Sequence, residues 1–291
     1  MYLQKTVKDT AERGLFLIAT PIGNMEDITE RAMVMLGNVD YILAEDTRVS
    51  RKLLNHLGIE KQLISFHTHN QYEKTRLIIA DVQAGKRIGL ISDAGLPGIS
   101  DPGGILVQAM VEASLPVTII PGVSAGVSLF TLSGFSEQGK FLFHGFLPTK
   151  TKAKEAVFEK YRSLSIPLVF YESPHRILKT LATLATLYPA STKVVLGREL
   201  TKLHETLLWF TLAEFQADTF AQLMTWKGEI TFIVFNQVIG EEQFDDETIL
   251  DLLEAELIKG VKPKEAMKIV AEQTGEKPNA LYDLWQKHKK E

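Results

Sequence analysis

Five short apolar runs, each followed by a helical pattern, constrain this chain more than any other feature of its sequence. Residues 15–20, 41–44, 63–66, 87–91 and 117–120 read as buried strands. Amphipathic patterns at 28–36, 50–57, 72–84, 105–113 and 123–132 predict the helices between and after them. Repeated βα units imply a largely parallel sheet with helices on its faces. Parallel strands carry their carboxyl ends to one edge, where open α/β sheets bind ligands. Turn and polar residues collect at that edge: Thr20-Pro21-Ile22-Gly23-Asn24, Glu45-Asp46-Thr47-Arg48, His67-Thr68-His69-Asn70 and Pro121-Gly122-Val123-Ser124-Ala125. The longest such turn follows the fourth strand, at 92–104, and is dense in Gly, Pro and Asp. A βα connection needs only about 2–6 residues. The excess reads as a ligand loop, in which glycines allow close backbone approach and Asp supplies polar contacts.

A polar, Gly-bearing stretch at 133–140 separates this set from a second α/β set. The second has strands at 141–144, 168–171, 194–196, 206–210 and 230–235, and helices at 154–163, 174–186 and 212–224. Thr211, with Glu214 three residues on, is a capping-box signal for the last of these helices. Tyr171-Glu172-Ser173-Pro174-His175-Arg176 and Gly197-Arg198-Glu199-Leu200-Thr201-Lys202 again fall at strand ends, whereas Gly228-Glu229 precedes its strand. After Gly240 the pattern is helical only, at 248–258, 263–272 and 279–287, with Gly260 and Gly275 as stops. Residues 264–285 resemble a helix-turn-helix. The expectation is an α/β fold of two consecutive α/β domains, 1–136 and 137–240, with a small C-terminal helical module, 241–291.

Composition narrows the functional classes. The chain has no cysteine, which excludes disulfides and thiolate metal sites. No apolar run approaches the roughly 20 residues of a spanning helix, and residues 1–13 lack the apolar core of a signal peptide. A cytoplasmic protein with no membrane partner is expected. The net charge of −4 argues against a general nucleic-acid binder, but charge is uneven. Glu241, Glu242, Asp245, Asp246 and Glu247 form an acidic cluster, and Lys259, Lys262, Lys264, Lys268, Lys277, Lys287, Lys289 and Lys290 follow it. Such a basic stretch can grip phosphates, and it equally reads as a solvated helical surface.

Several chemistries lack their motifs. There is no GxGxxG after the first strand and no GxxxxGK[ST]. A metal hydrolase built on His67, His69 and Asp101 is the natural rival reading, although the pair lacks HExxH spacing. The expectation is no metal.

Five motifs carry a more specific signal. Thr20-Pro21-Ile22-Gly23-Asn24, Ala44-Glu45-Asp46-Thr47-Arg48, the loop from Ser92-Asp93-Ala94-Gly95 to Asp101-Pro102-Gly103, Phe170-Tyr171-Glu172-Ser173-Pro174-His175-Arg176 and Gly197-Arg198-Glu199-Leu200-Thr201-Lys202 resemble the tetrapyrrole-methylase superfamily. Within it they resemble the branch that methylates small-subunit ribosomal RNA. Leu96 departs from the common Thr, and Gln71 from the common Glu, which makes position 71 a poor candidate for a base. The resemblance implies S-adenosylmethionine-dependent 2′-O-ribose methylation of a cytidine in the 16S ribosomal RNA decoding centre. It also implies a homodimer and a cofactor in the cleft between two α/β domains. The alternatives are a porphyrinoid small-molecule methylase and a non-catalytic ribosome-assembly factor.

The resemblance implies cofactor contacts from Pro21, Asp93, Ala94, Gly95, Ile99, Ser100, Ser124, Ala125, Tyr171, Gly228, Glu229 and Ile230. On the RNA side, Arg48, Arg51, His67, His69, Arg176 and Arg198 are candidates for phosphate or ribose contacts. Glu45, Asp46, Glu172, Glu199 and Lys202 are candidates for handling the hydroxyl proton, with no single base selected. Asp46–Arg48 and Arg198–Glu199 also read as structural ion pairs.

Overall fold

The computed structural model describes residues 3–4, 13–136, 139–216, 219–235, 246–274 and 278–288. They fall into two compact units, one from Met1–Arg162 with Ile166–Asn236, the other from Ser163–Ser165 with Gln237–Glu291.

In the first unit, β1 (Gly14–Ile18), β2 (Tyr41–Ala44), β3 (Leu63–Ser65), β4 (Arg87–Ile91) and β5 (Val117–Ile120) form a sheet in the order β3-β2-β4-β1-β5. Every neighbouring pair is parallel. The connecting helices are α1 (Glu30–Asn38), α2 (Thr47–His56), α3 (Gln71–Gln83) and α4 (Gly104–Glu112). The strands are apolar on both faces because both faces are covered. Leu15, Tyr41, Leu43, Ile88 and Leu90 pack with Ile78 and Val82 of α3 and Leu106 and Met110 of α4. The alternate residues Phe16, Ile18, Ile42 and Ala44 pack with Ala32, Met35 and Leu36 of α1 and Leu54 of α2. The side-chain period of two thus divides one sheet between two cores.

The next helix, α5 (Ala125–Leu132), brings Leu129 and Phe130 against Val169, Val195 and Ile233 of a second sheet. At Gly126 a Cβ would lie 3.1 Å from the Phe143 ring and 3.3 Å from Val169, so glycine permits the close approach. That sheet runs β6-β7-β10-β8-β9, from β6 (Leu142–Phe146), β7 (Leu168–Glu172), β8 (Lys193–Arg198), β9 (Thr206–Thr211) and β10 (Ile230–Phe235). Helices α6 (Thr151–Tyr161) and α7 (Ile177–Leu187) accompany it. Only β6 and β7 pair parallel; β10 is antiparallel to β7 and β8, and β9 to β8. Ile230 therefore stands opposite both Glu172 and Arg198. The start of β10 lies at the carboxyl ends of its neighbours. This places Gly228-Glu229 at the same edge as the other turns, although it precedes its strand.

One expected helix is absent as such. In place of a helix over 212–224 there is a single turn, α8 (Leu212–Phe215), and a separate 3-10 turn at Phe220–Gln222. The capping box of Thr211 and Glu214 is present and starts the helix. Aromatic packing then redirects the chain: the Phe220 ring lies 4.8 Å from Phe210 and 5.0 Å from Phe215, and it stacks on Trp226.

The second unit contains α9 (Asp246–Ile258), α10 (Pro263–Thr274) and α11 (Pro278–His288), around a core of Ile249, Leu253, Met267, Val270 and Leu281. Gly260, at φ +83°, follows the end of α9, and its N–H bonds to Leu257 O. Glu241, Glu242, Asp245, Gly275, Lys277, Lys289 and Lys290 lie outside the described residues, as do the side chains of Glu247 and Lys287. Among the described residues no helix is long and apolar enough to cross a membrane.

Candidate active site

The turns at the carboxyl edges of both sheets enclose a cavity of about 350 Å³. From the first sheet, its walls are Ile22 after β1, Asp93 to Leu96 and Ile99 to Asp101 after β4, and Ser124 and Ala125 at the start of α5. From the second come Phe146, Tyr171 to Pro174, and Gly228 to Thr231. A cavity of this size, mostly apolar with a few converging polar groups, is typical of a small-molecule site.

Backbone pairing locks the first-sheet turns together. Gly95 N–H donates to Thr20 O at 3.1 Å, and Thr20 N–H donates to Gly95 O at 2.9 Å. The Thr20 hydroxyl adds a bond to Ser92 O at 3.2 Å. Gly95 has φ +78°, and a Cβ there would meet Val123 O and Ile22 at 3.2–3.3 Å. Both backbone groups of Gly95 are thus engaged by Thr20. Its contribution to the cavity is shape rather than hydrogen bonding.

The cavity is acidic. Asp93, whose Oδ1 accepts the Asp46 N–H at 3.2 Å, has its pKa raised by burial, with the Asp46 and Glu229 charges adding. Burial, the Asp93 charge and a weaker opposing effect of His67 combine to raise Glu45. Asp101 is pushed up to about 7 by burial and by the charges of Glu45 and Asp93. Burial also raises Tyr171, whose hydroxyl accepts the Gly126 N–H at 3.3 Å. Carboxylates so close together cannot all ionise cheaply in a half-buried site.

A family model for Tetrapyrrole (Corrin/Porphyrin) Methylases matches residues 14–216. A Pasteurella multocida protein called ribosomal RNA small subunit methyltransferase I is 42% identical over 284 residues, covering 94% of this chain and 97% of its own. A Streptococcus pyogenes protein with the same name is 40% identical over 280 residues, covering 93% and 94%. The chain belongs to the tetrapyrrole methylase family, in the branch of ribosomal RNA small subunit methyltransferase I. Among solved structures, Thermus thermophilus uroporphyrin-III C-methyltransferase in complex with S-adenosylhomocysteine has a similar fold. It superposes with a TM-score of 0.52 at 16% identity, covering 76% of this chain and 96% of that one.

In this methylase, eleven of the twelve residues implied for the cofactor line the cavity; Pro21 does not, and its neighbour Ile22 does. The candidates for proton handling separate. Asp46 caps α2, and both its oxygens accept bonds from the Arg48 guanidinium. These bonds, with the Arg48 N–H, hold its carboxyl at about 2. The Glu172 side chain is fully buried: Oε1 accepts from Arg176 Nε at 2.6 Å and Ser173 N–H at 2.8 Å, and Oε2 from the Thr180 hydroxyl at 2.8 Å. Glu199 Oε1 accepts from Lys202 Nζ at 2.8 Å and Glu229 N–H at 2.8 Å. Burial acts to raise Glu199, but these bonds outweigh it and its pKa is lowered. Lys202 also reaches Glu229 at 3.1 Å, and these acidic partners overcome burial to raise its pKa. Glu45 is not one of the residues that line the cavity, and its charge acts on Asp101 and Asp93.

The candidate RNA contacts separate as well. Arg176 donates to Glu172 and to Leu147 O, and Arg198 to Lys227 O, His204 O and the Thr206 hydroxyl. Both brace the fold from within. Arg48 and Arg51 are exposed on α2, and His69 is exposed beside a half-buried His67. His67 Nε2 lies 3.2 Å from Asn70 Nδ2. Among the described residues no three His, Asp or Glu side chains group as a metal site. The residue that sequence reasoning undervalued is Asp101, which it weighed only as a metal ligand. Its signal was its place in the same loop as Asp93.

Proposed function

We propose that this chain is an S-adenosylmethionine-dependent methyltransferase of small-subunit ribosomal RNA, acting on the ribose 2′-oxygen of a cytidine in the 16S decoding centre. The observation that carries the reading is the acidic, otherwise apolar cavity. Asp93, Asp101 and Glu229 suit a ligand bearing ammonium and sulfonium charges, and they oppose a phosphate-bearing cofactor. Ile22, Ala94, Leu96, Ile99 and Ile230 offer apolar walls for a purine, with Ser124 and Tyr171 hydroxyls between them. The names of the relatives, and the S-adenosylhomocysteine held by the solved neighbour, support the same donor.

When bound, the donor supplies an electrophilic methyl group. The protein's part is placement: orientation supplies roughly 7–11 kcal/mol of such a barrier, and general base catalysis about 10²–10⁴-fold. Phe146, 59% exposed beside the cavity, offers a ring against which a splayed base can stack. Arg48 and Arg51 on α2, with His69, are exposed and in this reading meet the flanking phosphates, and the lysines of the helical module are a separate source of positive charge. The two sheets correspond in this reading to domains 1–136 and 137–240, with 241–291 as an RNA-gripping module. By resemblance the active species is a homodimer.

The test is incubation of unmodified 30S particles, free 16S RNA and a porphyrinoid with isotope-labelled donor, followed by nucleoside mass mapping. The expected product is a single ribose-methylated cytidine. Label on the porphyrinoid alone would replace this reading with the small-molecule one.

A further inference from the structure

The carboxylates around the cavity divide by what neutralises them. Asp46, Glu172, Glu199 and Glu229 each have an Arg or Lys nitrogen within 3.1 Å. A carboxylate held in this way is a poor proton acceptor. Asp93 and Asp101 line the cavity with no such ion pair among the described residues. Asp93 has one oxygen on the Asp46 N–H. Beside Asp101 the Ser92 hydroxyl lies close enough to temper the rise of its pKa.

The turn that presents Asp101 is strained. Ser100 has φ +65° without being glycine, between Gly98 at +85° and Gly103 at +148°. Gly145 of β6, at φ +83°, packs on this turn, and a Cβ there would stand 2.8 Å from the Ser100 hydroxyl. A non-glycine residue held in this region costs about 1–3 kcal/mol and persists where surrounding packing dictates it. Here the packing fixes the direction of the next residue, Asp101, at the cavity wall.

We propose that Asp101 is the catalytic base, its carboxylate taking the proton of the hydroxyl that becomes methylated. The proposal rests on the ribose 2′-oxygen reading above. As the ribose oxygen bonds to the methyl carbon, the carbon–sulfur bond breaks and its electron pair stays on sulfur. The hydroxyl proton passes to an Asp101 Oδ and from there to solvent. The groups facing Asp101 are Ser92 and Asp93 after β4, Glu45 after β2 with His67 beyond it, and Tyr171 of β7; Glu229 acts on Asp93 and Tyr171. Burial and the Glu45 and Asp93 charges place its titration at about 7, where a base is both available and strong enough.

The test uses the full-length protein with 30S particles and S-adenosylmethionine. The wild-type single-turnover rate should rise with pH through about 7. Asp101→Asn should lower it by about 10²–10⁴-fold and abolish the rise. Asp101→Glu should recover part of the rate with a displaced limb. A second readout needs no donor. Carboxyl ¹³C resonances should show one aspartate titrating near 7, missing in Asp101→Asn. Because the folded carboxyl is raised from 3.8 to about 7, the fold binds more protons than the unfolded chain between those values. Wild-type stability should therefore fall as pH rises across that window, and Asp101→Asn should flatten the slope. An Asp101→Asn rate within tenfold of wild type, or an unchanged pH limb on a ribose-methylated product, would overturn the proposal alone. A base-methylated product would overturn the ribose reading and the proposal together.

Discussion

Glu172→Ala should cost the fold about 3–5 kcal/mol, as expected when one partner of a buried ion pair is removed. Glu172 and Lys154 are both almost fully buried. Lys154 Nζ donates to the Thr180 hydroxyl at 2.6 Å, which donates on to Glu172 Oε2 at 2.8 Å, while Arg176 holds the other oxygen. Burial lowers the Lys154 pKa, the Glu172 charge opposes this, and Arg176 adds to it. Without Glu172 two cations face each other in an apolar setting. For a unit of this size the loss corresponds to roughly 6–20 °C in melting temperature. Replacing Lys154 as well, Lys154→Met with Glu172→Leu, should recover part of it, because one buried cation is removed with the carboxylate while Arg176 still loses its partner. Thermal melts measure both. A loss below about 1 kcal/mol for the single change would show that the pair is solvated and does not brace the β7 turn.

Gly228→Ala should lower donor affinity about 100-fold, or roughly 2.7 kcal/mol, while the fold survives. Gly228 has φ +85°, and a Cβ there would collide with the Glu199 carboxylate. That carboxylate joins Lys202 to the Glu229 N–H, so its expulsion frees the Gly228–Thr231 wall of the cavity. The left-handed backbone adds about 1–2 kcal/mol of strain for any residue with a Cβ. Calorimetry with S-adenosylhomocysteine measures the effect. Unchanged affinity would mean that the Gly228 wall does not touch the ligand.

The parallel sheet was legible because its strands are compact apolar runs ended by turn residues: β2, β4 and β5 have the expected bounds. So was the convergence of Thr20, Asp93 and Ser124, since parallel strands leave no choice of edge. The direction of β10 was not legible, since an apolar run fits a parallel or an antiparallel neighbour equally well. Gly228-Glu229 therefore looked misplaced until its pairing was known. The helix expected at 212–224 failed because a 3.6-residue count cannot see Phe210, against which Phe220 packs. The site was half legible for a related reason. Residue types told where charge collects, but not that Glu172 and Arg176 neutralise each other inside the fold. Left-handed Ser100 and Glu199 carry no composition signal, and they aim two of the acids.

A crystal structure of this protein soaked with S-adenosylhomocysteine bears most directly on the claim that one acidic cavity, shared by both sheets, receives the methyl donor. The account predicts the ligand between the Asp93–Asp101 turn, Tyr171 and the Gly228–Thr231 segment, with its purine against Ala94 and Ile230. Ligand bound elsewhere with this cavity vacant, or bound with its amino group turned away from every carboxylate of the wall, would contradict it.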